Sequence, residues 1–330
     1  MFTLVIHPGY LGDTVFLGPA VRALKARWPE GKVALCVTPR GAPVARLLPG
    51  CDEVVVYDKR GADRGPSGLL RAARRLRAFR PELAIVPHYS PRAGVLALLS
   101  GAPRRIGYAL FCNERVRLDR GRPFVERALS LAERAGAHGD TALLIRRPVG
   151  LEAYADGVLA GARCPVVGLV PGAEWATKRW GAEGFAALAR ELGRGGATVL
   201  VLGGPGDREV AARIGALAGV PLRDTTGNAI DEAVAILARC DLVIGGDTGL
   251  VHCARALGRP TLVLFGPTEP ARHRFSSRER YLTLGLPCQP CHDHGPARCP
   301  LGHHDCMRLL DAAAVAEAAR ALLSVDAPVP

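Results

Sequence analysis

Short, continuously apolar segments alternate with stretches rich in Ala, Leu and Arg over nearly all of the 330 residues. Segments apolar on successive residues are typical of strands buried on both faces of a parallel sheet. Strands that alternate with helices form right-handed β–α–β units. Eight strands are predicted: Phe2–Ile6, Lys32–Val37, Glu53–Tyr57, Leu83–Pro87, Val166–Val170, Thr198–Leu202, Asp241–Ile244 and Thr261–Phe265.

The number of strands indicates two domains, because one doubly wound sheet rarely holds this many. The alternation also pauses between residues 137 and 164 before an apolar strand restarts it. We therefore predict an α/β chain of two Rossmann-like domains, residues 1–149 and 150–330, with parallel sheets that face each other across a cleft. Ligands are expected in that cleft, outside the carboxyl ends of the strands. Helices are predicted at Val15–Arg27, Leu69–Phe79, Pro91–Leu99, Phe124–Ala135, Gly184–Gly193, Asp207–Ala218, Ile230–Arg239, Gly249–Leu257 and Ala312–Leu323.

The composition is that of a globular protein, with 48% hydrophobic and 22% charged residues. No apolar stretch reaches the roughly 20 residues that span a bilayer, and the start does not resemble a signal peptide. We therefore expect a cytoplasmic protein with reduced cysteines. The net charge of +12 favours anionic partners, but no motif interleaves aromatic and basic residues, so a nucleic-acid partner is not expected.

The loop after the first predicted strand, residues 7–13, contains Gly9, Gly12 and Asp13. Glycines allow the backbone to turn tightly beside a ligand. Asp13 falls near the start of a helix, where an aspartate often acts only as an N-cap. The alternative is a carboxylate that accepts a proton from a substrate hydroxyl.

The loop after Val170 places Lys178 and Arg179 between two tryptophans. Cations at the carboxyl end of a strand suit phosphate oxygens, although a solvated basic loop has the same composition. The loop after Leu202 is glycine-rich and ends in an acidic helix start. Its Asp207 is suited to ribose hydroxyls or to capping that helix.

The fourth loop, Gly245-Gly246-Asp247-Thr248-Gly249, runs from a strand into a helix. The free N–H groups and positive dipole end of such a helix bind pyrophosphate. His252 lies one turn beyond Thr248 on the same face, either as a packed core histidine or as part of the site. The chain contains no GxxxxGK[ST] loop, no GxSxG elbow and no GxGxxG after the first strand, which disfavours P-loop, α/β-hydrolase and nicotinamide enzymes.

Several blocks of sequence together resemble glycosyltransferase family 9, the heptosyltransferases of lipopolysaccharide core assembly. They are GYLGDTVFLGPAVRALKARWP, PGAEWATKRWGAEGFAALARELGRGG, VLGGPGDRE and GGDTGLVHCARALGRPTLVLFGPTEP. The resemblance implies a GT-B architecture, with the acceptor in the N-terminal domain and the donor in the C-terminal one. It also implies that the last helix packs back onto the N-terminal domain.

The resemblance further implies inverting transfer of a heptose or related sugar from an ADP-sugar to a lipid-anchored saccharide of the inner core. Asp13 is then the general base, and Lys178 holds donor phosphate and supports catalysis. The other implied donor-binding residues are Gly12, Thr177, Asp207, Asp247, Thr248, Gly249 and His252. The implied nucleoside contact is Asp207, with Glu209 as the alternative. No metal is required, because Lys178 and the helix N-terminus stabilise the departing ADP.

Two alternatives remain open at this stage: a nucleotide-sugar epimerase of similar architecture, and an inactive relative that binds within a surface-polysaccharide assembly complex. Arginines in Arg71–Arg80 and at Arg104 and Arg105 suggest either peripheral contact with an anionic inner membrane or a solvated helix face.

Four cysteines, Cys288, Cys291, Cys299 and Cys306, lie within one short segment near the C-terminus. The first pair has the CxxC spacing of structural zinc sites, whereas the second pair does not. The four residues are therefore candidate ligands of a structural zinc ion, with free thiols or redox-labile pairs as the alternatives.

Overall fold

The computed structural model describes residues 1–325, which divide into two compact units. The first unit comprises Met1–Arg146 together with Arg272–Arg274, and the second comprises Arg147–Ala271 and continues from Phe275. Each unit contains one six-stranded sheet in which every strand pairs in parallel with its neighbours. The predicted pair of Rossmann-like α/β folds is confirmed.

The first sheet has the strand order β3-β2-β1-β4-β5-β6, which is that of a dinucleotide-binding fold. Its strands are β1 Phe2–Ile6, β2 Lys32–Val37, β3 Glu53–Val56, β4 Leu83–Val86, β5 Arg104–Gly107 and β6 Glu114–Arg115. Its helices are α1 Leu11–Phe16, α2 Gly18–Arg27, α3 Ala42–Leu47, α4 Gly65–Arg77, α5 Pro91–Leu99 and α6 Phe124–Arg134.

The second sheet repeats this order, as β12-β11-β10-β7-β8-β9. Its strands are β7 Val166–Val170, β8 Thr198–Gly203, β9 Arg223–Thr226, β10 Leu242–Gly246, β11 Thr261–Leu264 and β12 Glu279–Leu282. Its helices are α7 Glu152–Val158, α8 Ala182–Arg194, α9 Arg208–Ala218, α10 Ile230–Leu237, α11 Gly249–Ala256, α12 Asp305–Arg308 and α13 Ala312–Val325. Short 3-10 helices lie at Ala176–Lys178, Pro205–Asp207 and Pro270–Arg272.

All eight predicted strands are present, because each contains a continuous apolar segment; seven lie inside a sheet, and β3 is an edge strand. The four strands that the sequence did not predict are β5, β6, β9 and β12, which lie toward the sheet edges and carry charged residues. The predicted helix Val15–Arg27 is two helices, α1 and α2, which meet at Leu17. Pro19 has no N–H to donate to the preceding turn, which explains the interruption.

The C-terminal helix α13 makes its main contacts with α8 and with β10, β11 and β12, all in the second unit. The packing of this helix against the N-terminal domain stays a prediction. Val315, Ala316, Ala319 and Leu322 of α13 belong to the hydrophobic core of the second unit. No helix among residues 1–325 is long and apolar enough to cross a membrane.

The closeness of α5 to the chain after β5 leaves no room for a side chain at Gly94. A Cβ atom there would lie 1.8 Å from the backbone oxygen of Leu110, whereas one at Gly215, on the exposed face of α9, would meet nothing within 4 Å. We expect Gly94→Ala to lower the free energy of unfolding by roughly 1–3 kcal/mol or more, because backbone must move. Gly215→Ala should raise it by about 0.5–1 kcal/mol. Thermal unfolding of both variants measures the contrast, and equal stabilities would contradict the packing described here.

Candidate active site

In both units, the strand order reverses at one point, between β1 and β4 in the first unit and between β7 and β10 in the second. Loops diverge there, which leaves a crevice at the carboxyl ends of the strands where ligands bind in folds of this type. The loop with Asp13 follows β1, and the loops with Lys178 and Asp247 follow β7 and β10. The sequence motifs therefore occupy the ligand-binding position of each sheet.

Two glycines at the end of β10 allow the neighbouring loops to lie close. A Cβ atom on Gly245 would lie 2.6 Å from the backbone oxygen of Val170, and one on Gly246 would lie 2.6 Å from that of Lys178. A larger residue at Gly246 would push the Lys178 loop away from β10, and one at Gly245 would push away the end of β7 from which that loop starts. The glycine pair therefore brings Lys178 and Asp247 together.

The carboxylate of Asp247 is the centre of a buried polar network. Its Oδ2 accepts hydrogen bonds from Lys178 Nζ at 2.6 Å and from Thr268 Oγ1 at 2.9 Å, and its Oδ1 lies 2.9 Å from His252 Nε2. Lys178 Nζ also donates to the backbone oxygen of Asp247 at 3.1 Å. The Lys178 and Asp247 side chains are only 13% and 7% exposed, so this ion pair is weakly screened.

Helix α11 begins directly after this carboxylate. Thr248 is its N-cap and does not cap the helix with its own side chain. The first-turn N–H groups from Gly249 onward start two residues after Asp247, whose backbone oxygen and carboxylate both accept from Lys178 Nζ. An ammonium next to a helix N-terminus is suited to a diphosphate, for which Thr248 offers a further hydroxyl donor.

Residues 288–306, which include the four clustered cysteines and are called the cysteine-rich segment, form hydrogen bonds with the loop that contains Lys178. Thr177 is buried, and its hydroxyl donates to the backbone oxygen of Pro296 at 2.5 Å. Its own backbone oxygen lies 2.8 Å from His304 Nε2. Thr177, predicted to bind the donor, therefore directs its hydroxyl to this segment.

Asp207 lies at the carboxyl ends of β7 and β8, where its oxygens face the positions at which Gly172 and Gly203 would carry side chains. Its Oδ2 also accepts from the backbone N–H of Gly204 at 2.9 Å, a contact at the start of the 3-10 helix Pro205–Asp207. Asp207 is the N-cap residue of α9, but its side chain makes no capping hydrogen bond to that helix, so the predicted capping of α9 is wrong. Glu209 is exposed on α9. Asp207 is thus closer to the strand ends than Glu209 is.

Two polar groups beside Asp207 escaped the sequence analysis. Thr226 pairs with Gly203 in the register of β8 and β9, and Asn228 follows two residues later. Thr226 Oγ1 and Asn228 Nδ2 are buried and have no hydrogen-bond partner among residues 1–325. Buried polar atoms without partners are uncommon and are suited to hydrogen bonds with a ligand. Nothing in the short polar sequence of this edge strand indicated them.

In the first unit, Asp13 lies in the first turn of α1, and its Oδ2 accepts from the backbone N–H of Tyr10 at 2.9 Å. The N-cap of α1 is Tyr10, so Asp13 is not an N-cap aspartate; it stands at the third helical position and accepts from the N-cap residue. Asp13 is nevertheless only half-buried. Because it follows β1 at the reversal point, it is also available to a ligand.

Cations that the sequence analysis missed surround Asp13. Lys59 donates to the backbone oxygen of Pro8 at 2.6 Å, next to the Asp13 loop. Burial lowers the pKa of the Lys59 ammonium, as do the charges of Arg60 and Arg92, whereas Asp13 acts in the opposite direction. This part of the first unit is therefore suited to an anionic ligand.

A cavity of about 530 Å³ lies farther along the same edge of the first sheet, after β5 and β6. It is lined by Tyr89, Tyr108, Arg115, Val116, Arg117, Leu118 and Arg120. Tyr108 is anchored by a hydrogen bond from its hydroxyl to the backbone oxygen of Arg127 at 2.7 Å. Arginines beside tyrosine rings are suited to a sugar that carries carboxylate or phosphate groups.

The four clustered cysteines are free thiols that influence one another. Burial raises the pKa of Cys306 to about 11, and the charges of the other three act in the same direction. Backbone N–H groups of His304, Leu301, Gly302 and His303 lower the pKa of Cys299.

The same cysteines do not form a ready zinc site. Among residues 1–325, no three of these sulfur atoms lie within 4.8 Å of one another. Sulfur ligands of a tetrahedral zinc ion lie ~4 Å apart, because Zn–S bonds are ~2.3 Å long. Backbone hydrogen bonds from Cys291 and His292 to the oxygen of Pro267 hold part of the segment, while Cys306 is packed in the core.

Comparison with known proteins agrees with the resemblance described above. The family model of glycosyltransferase family 9 (heptosyltransferase) matches residues 69–299. Lipopolysaccharide heptosyltransferase 2 of Escherichia coli K12 is 28% identical over 298 residues, which cover 82% of this chain and 84% of that protein. Lipopolysaccharide heptosyltransferase 1 of Pseudomonas aeruginosa is 34% identical over 133 residues, covering 38% of this chain and 36% of that protein.

Solved structures show the same fold. A family 9 glycosyl transferase from Veillonella parvula superimposes with a TM-score of 0.86 at 24% identity, covering 98% of both chains. The E. coli ADP-heptose lps heptosyltransferase II superimposes with a TM-score of 0.80 at 25% identity, covering 99% of this chain and all of that one. On the family match and this likeness over most of its length, the chain belongs to glycosyltransferase family 9 and is a GT-B glycosyltransferase of the heptosyltransferase family.

Proposed function

We propose that the protein transfers a heptose from ADP-heptose to a saccharide acceptor of the lipopolysaccharide inner core, with inversion at the anomeric carbon. The observation that carries the proposal is the buried Lys178–Asp247 pair beside the N-terminus of α11. This arrangement provides a diphosphate site at the reversal point of the second sheet. Relatives that match over most of the chain are named heptosyltransferases, and the name of the E. coli structure includes ADP-heptose.

The second unit, residues 150–330 in the sequence-based division, is proposed to bind the donor. Lys178 and the first-turn N–H groups at Gly249 bind the diphosphate. Asp207, Thr226 and Asn228 lie where a nucleoside would extend along β8 and β9. As the bond between C1 of the sugar and ADP breaks, negative charge grows on the leaving phosphate. The Lys178 ammonium and the same N–H groups stabilise this charge. The mechanism uses no metal ion.

The first unit, residues 1–149, is proposed to bind the acceptor. The Asp13 carboxylate removes the proton of the acceptor hydroxyl as its oxygen attacks C1. One bond forms to the acceptor oxygen while the bond to ADP breaks, so the anomeric centre inverts in a single step. The cavity lined by Arg115, Arg117 and Arg120, called the arginine cavity, binds carboxylate or phosphate groups of the acceptor.

Contact with an anionic membrane is proposed to be weak. Arg71 and Arg75 of α4 bind the buried Asp63, and Arg104 forms an ion pair with Glu114. Guanidinium groups already paired within the protein contribute less attraction to lipid headgroups. We infer a cytoplasmic enzyme that reaches its lipid-anchored acceptor with little help from these arginines.

Mass spectrometry after incubation with ADP-heptose and an inner-core acceptor tests the proposal. We expect one added heptose and ADP release that depends on the acceptor. Conversion of ADP-heptose to an isomer without acceptor would instead identify an epimerase. Donor binding without any product would identify an inactive binding protein.

Asp13→Asn should lower the rate of transfer by roughly 10²–10⁴-fold, because the amide cannot accept the proton. Its oxygen can still accept from the N–H of Tyr10, so the capping contact is retained. Steady-state kinetics and ADP binding measure the two effects separately. Asp311→Asn, which changes a capping aspartate at the start of α13, is the control. A rate within threefold of wild type would contradict the role of Asp13 as base.

Lys178→Ala should weaken ADP binding and slow transfer together, because its charge faces the phosphates before and during bond cleavage. Lys25→Ala is a matched control, since Lys25 also binds an aspartate and a backbone oxygen, Asp52 and Gly31, in the first unit. Calorimetric ADP binding and initial rates provide the measurement. Equal effects of the two variants would mean that Lys178 is only structural.

Arg117→Ala should raise KM for an anionic acceptor about tenfold or more and leave the donor KM unchanged, because a charged hydrogen bond is lost from the cavity. Arg213→Ala, which removes an exposed ion pair with Glu183, is the control. An acceptor without carboxylate and phosphate groups should show no difference between wild type and Arg117→Ala. A change in donor KM alone would argue against the cavity as acceptor site.

A further inference from the structure

A row of buried side chains extends from Asp247 into the second unit. His252 Nε2 lies 2.9 Å from Asp247 Oδ1, and Arg255 Nη1 lies 3.4 Å from His252 Nδ1. His252 and Arg255 are each 3% exposed. A buried arginine one turn along the helix from His252 therefore contacts the ring nitrogen that does not face Asp247.

The position of Arg255 is determined by Glu279 on β12. Arg255 Nε and Nη2 donate to the two carboxylate oxygens of Glu279 at 3.2 and 3.3 Å. Glu279 Oε2 also accepts from the backbone N–H of Ser276 at 2.8 Å. The guanidinium carbon lies 4.6 Å from the centre of the Phe275 ring. The salt bridge with Glu279, the hydrogen bond from Ser276 to Glu279 and the contact with the Phe275 ring therefore restrict the position of the Arg255 guanidinium.

These contacts determine which nitrogen of His252 carries the proton. A guanidinium group has only donors, so His252 Nδ1 must be the acceptor in its contact with Arg255. Burial lowers the pKa of His252, and the charges of Arg255 and Lys178 act in the same direction, against the contact with Asp247. The ring is therefore neutral near pH 7, with its one proton on Nε2, which donates to Asp247 Oδ1.

We propose that Arg255 and Glu279 are positioning residues for the donor. They hold His252 as the Nε2–H tautomer, and its hydrogen bond orients the Asp247 carboxylate that in turn holds Lys178. The inference rests on the proposed function, because it takes Lys178 and Asp247 as donor-binding residues. Neither Arg255 nor Glu279 touches the donor.

The first test is the tautomer of His252 in the free protein. Two-dimensional ¹⁵N NMR of histidine-labelled protein distinguishes Nε2–H from Nδ1–H, with His252→Gln identifying the signal. We expect a neutral Nε2–H ring at pH 7. A Nδ1–H ring or an imidazolium would overturn the inference.

The second test changes the support and leaves the donor contacts in place. Glu279→Gln should give a mixture of His252 tautomers and weaken ADP binding about tenfold, roughly the effect of one hydrogen bond. Glu114→Gln, in a similar two-bond pair with Arg104 in the first unit, should change neither. A lower melting temperature with an unchanged tautomer and unchanged ADP affinity would show that Glu279 is only structural.

A third test compares two variants at position 252, and it applies even if Glu279→Gln does not fold. Glutamine at position 252 places an amide N–H near the position of ring Nε2, whereas the shorter asparagine does not. We expect His252→Gln to retain ADP affinity within threefold and His252→Asn to lose about tenfold. Equal affinities in the two variants would contradict the proposed role of the Nε2–H group.

These measurements use ADP and NMR, without transfer. A wild-type protein with the Nε2–H tautomer and the expected ADP affinities but no heptose transfer would refute the proposed function alone. A protein that transfers heptose but has the other tautomer would refute the inference alone.

Discussion

The buried ion pair between Lys178 and Asp247 is the interaction on which the second unit's site depends. It joins the loop after β7 to the loop after β10, the two loops that flank the reversal of strand order. Removing one partner of such a buried pair typically costs about 3–5 kcal/mol, because the remaining charge stays out of water. Glycine at 245 and 246, the polar partners of Asp247 and the support behind Thr177 all serve to keep this pair in place.

The cysteine-rich segment also helps to keep the Lys178 loop in position. Its backbone accepts the Thr177 hydroxyl at Pro296, its His304 ring contacts the Thr177 carbonyl, and its Cys291 N–H donates to Pro267. It therefore supports the Lys178 loop without bringing its thiols into a ligand set. This contact explains why a sequence block far along the chain from Lys178 is structurally tied to it.

The two units differ in how charged groups are arranged at the carboxyl ends of their strands. In the second unit, a lysine and a helix N-terminus form a compact positive site around one buried carboxylate. In the first, Lys59, Arg60, Arg92 and the arginine cavity surround the carboxyl edge more loosely, beside the half-buried Asp13. A small diphosphate suits the compact site, whereas a larger anionic saccharide suits the broad one.

Continuous apolar segments and glycine-rich turns are local signals, so eight strands and the loops after β1, β7, β8 and β10 can be predicted from the sequence alone. Lys178, Asp247 and Asp13 are predicted as site residues because they lie in those loops. The contact of Thr177 with the cysteine-rich segment, the separation of the thiols and the salt bridge of Glu279 with Arg255 behind His252 appear only in the folded chain. Those pairings join residues 24 to 127 positions apart, and a side chain's partner at such a distance depends on how the sheet is ordered. The edge strands β6, β9 and β12, and β5 between β4 and β6, likewise form because a neighbouring strand offers hydrogen bonds, which their charged sequences do not indicate.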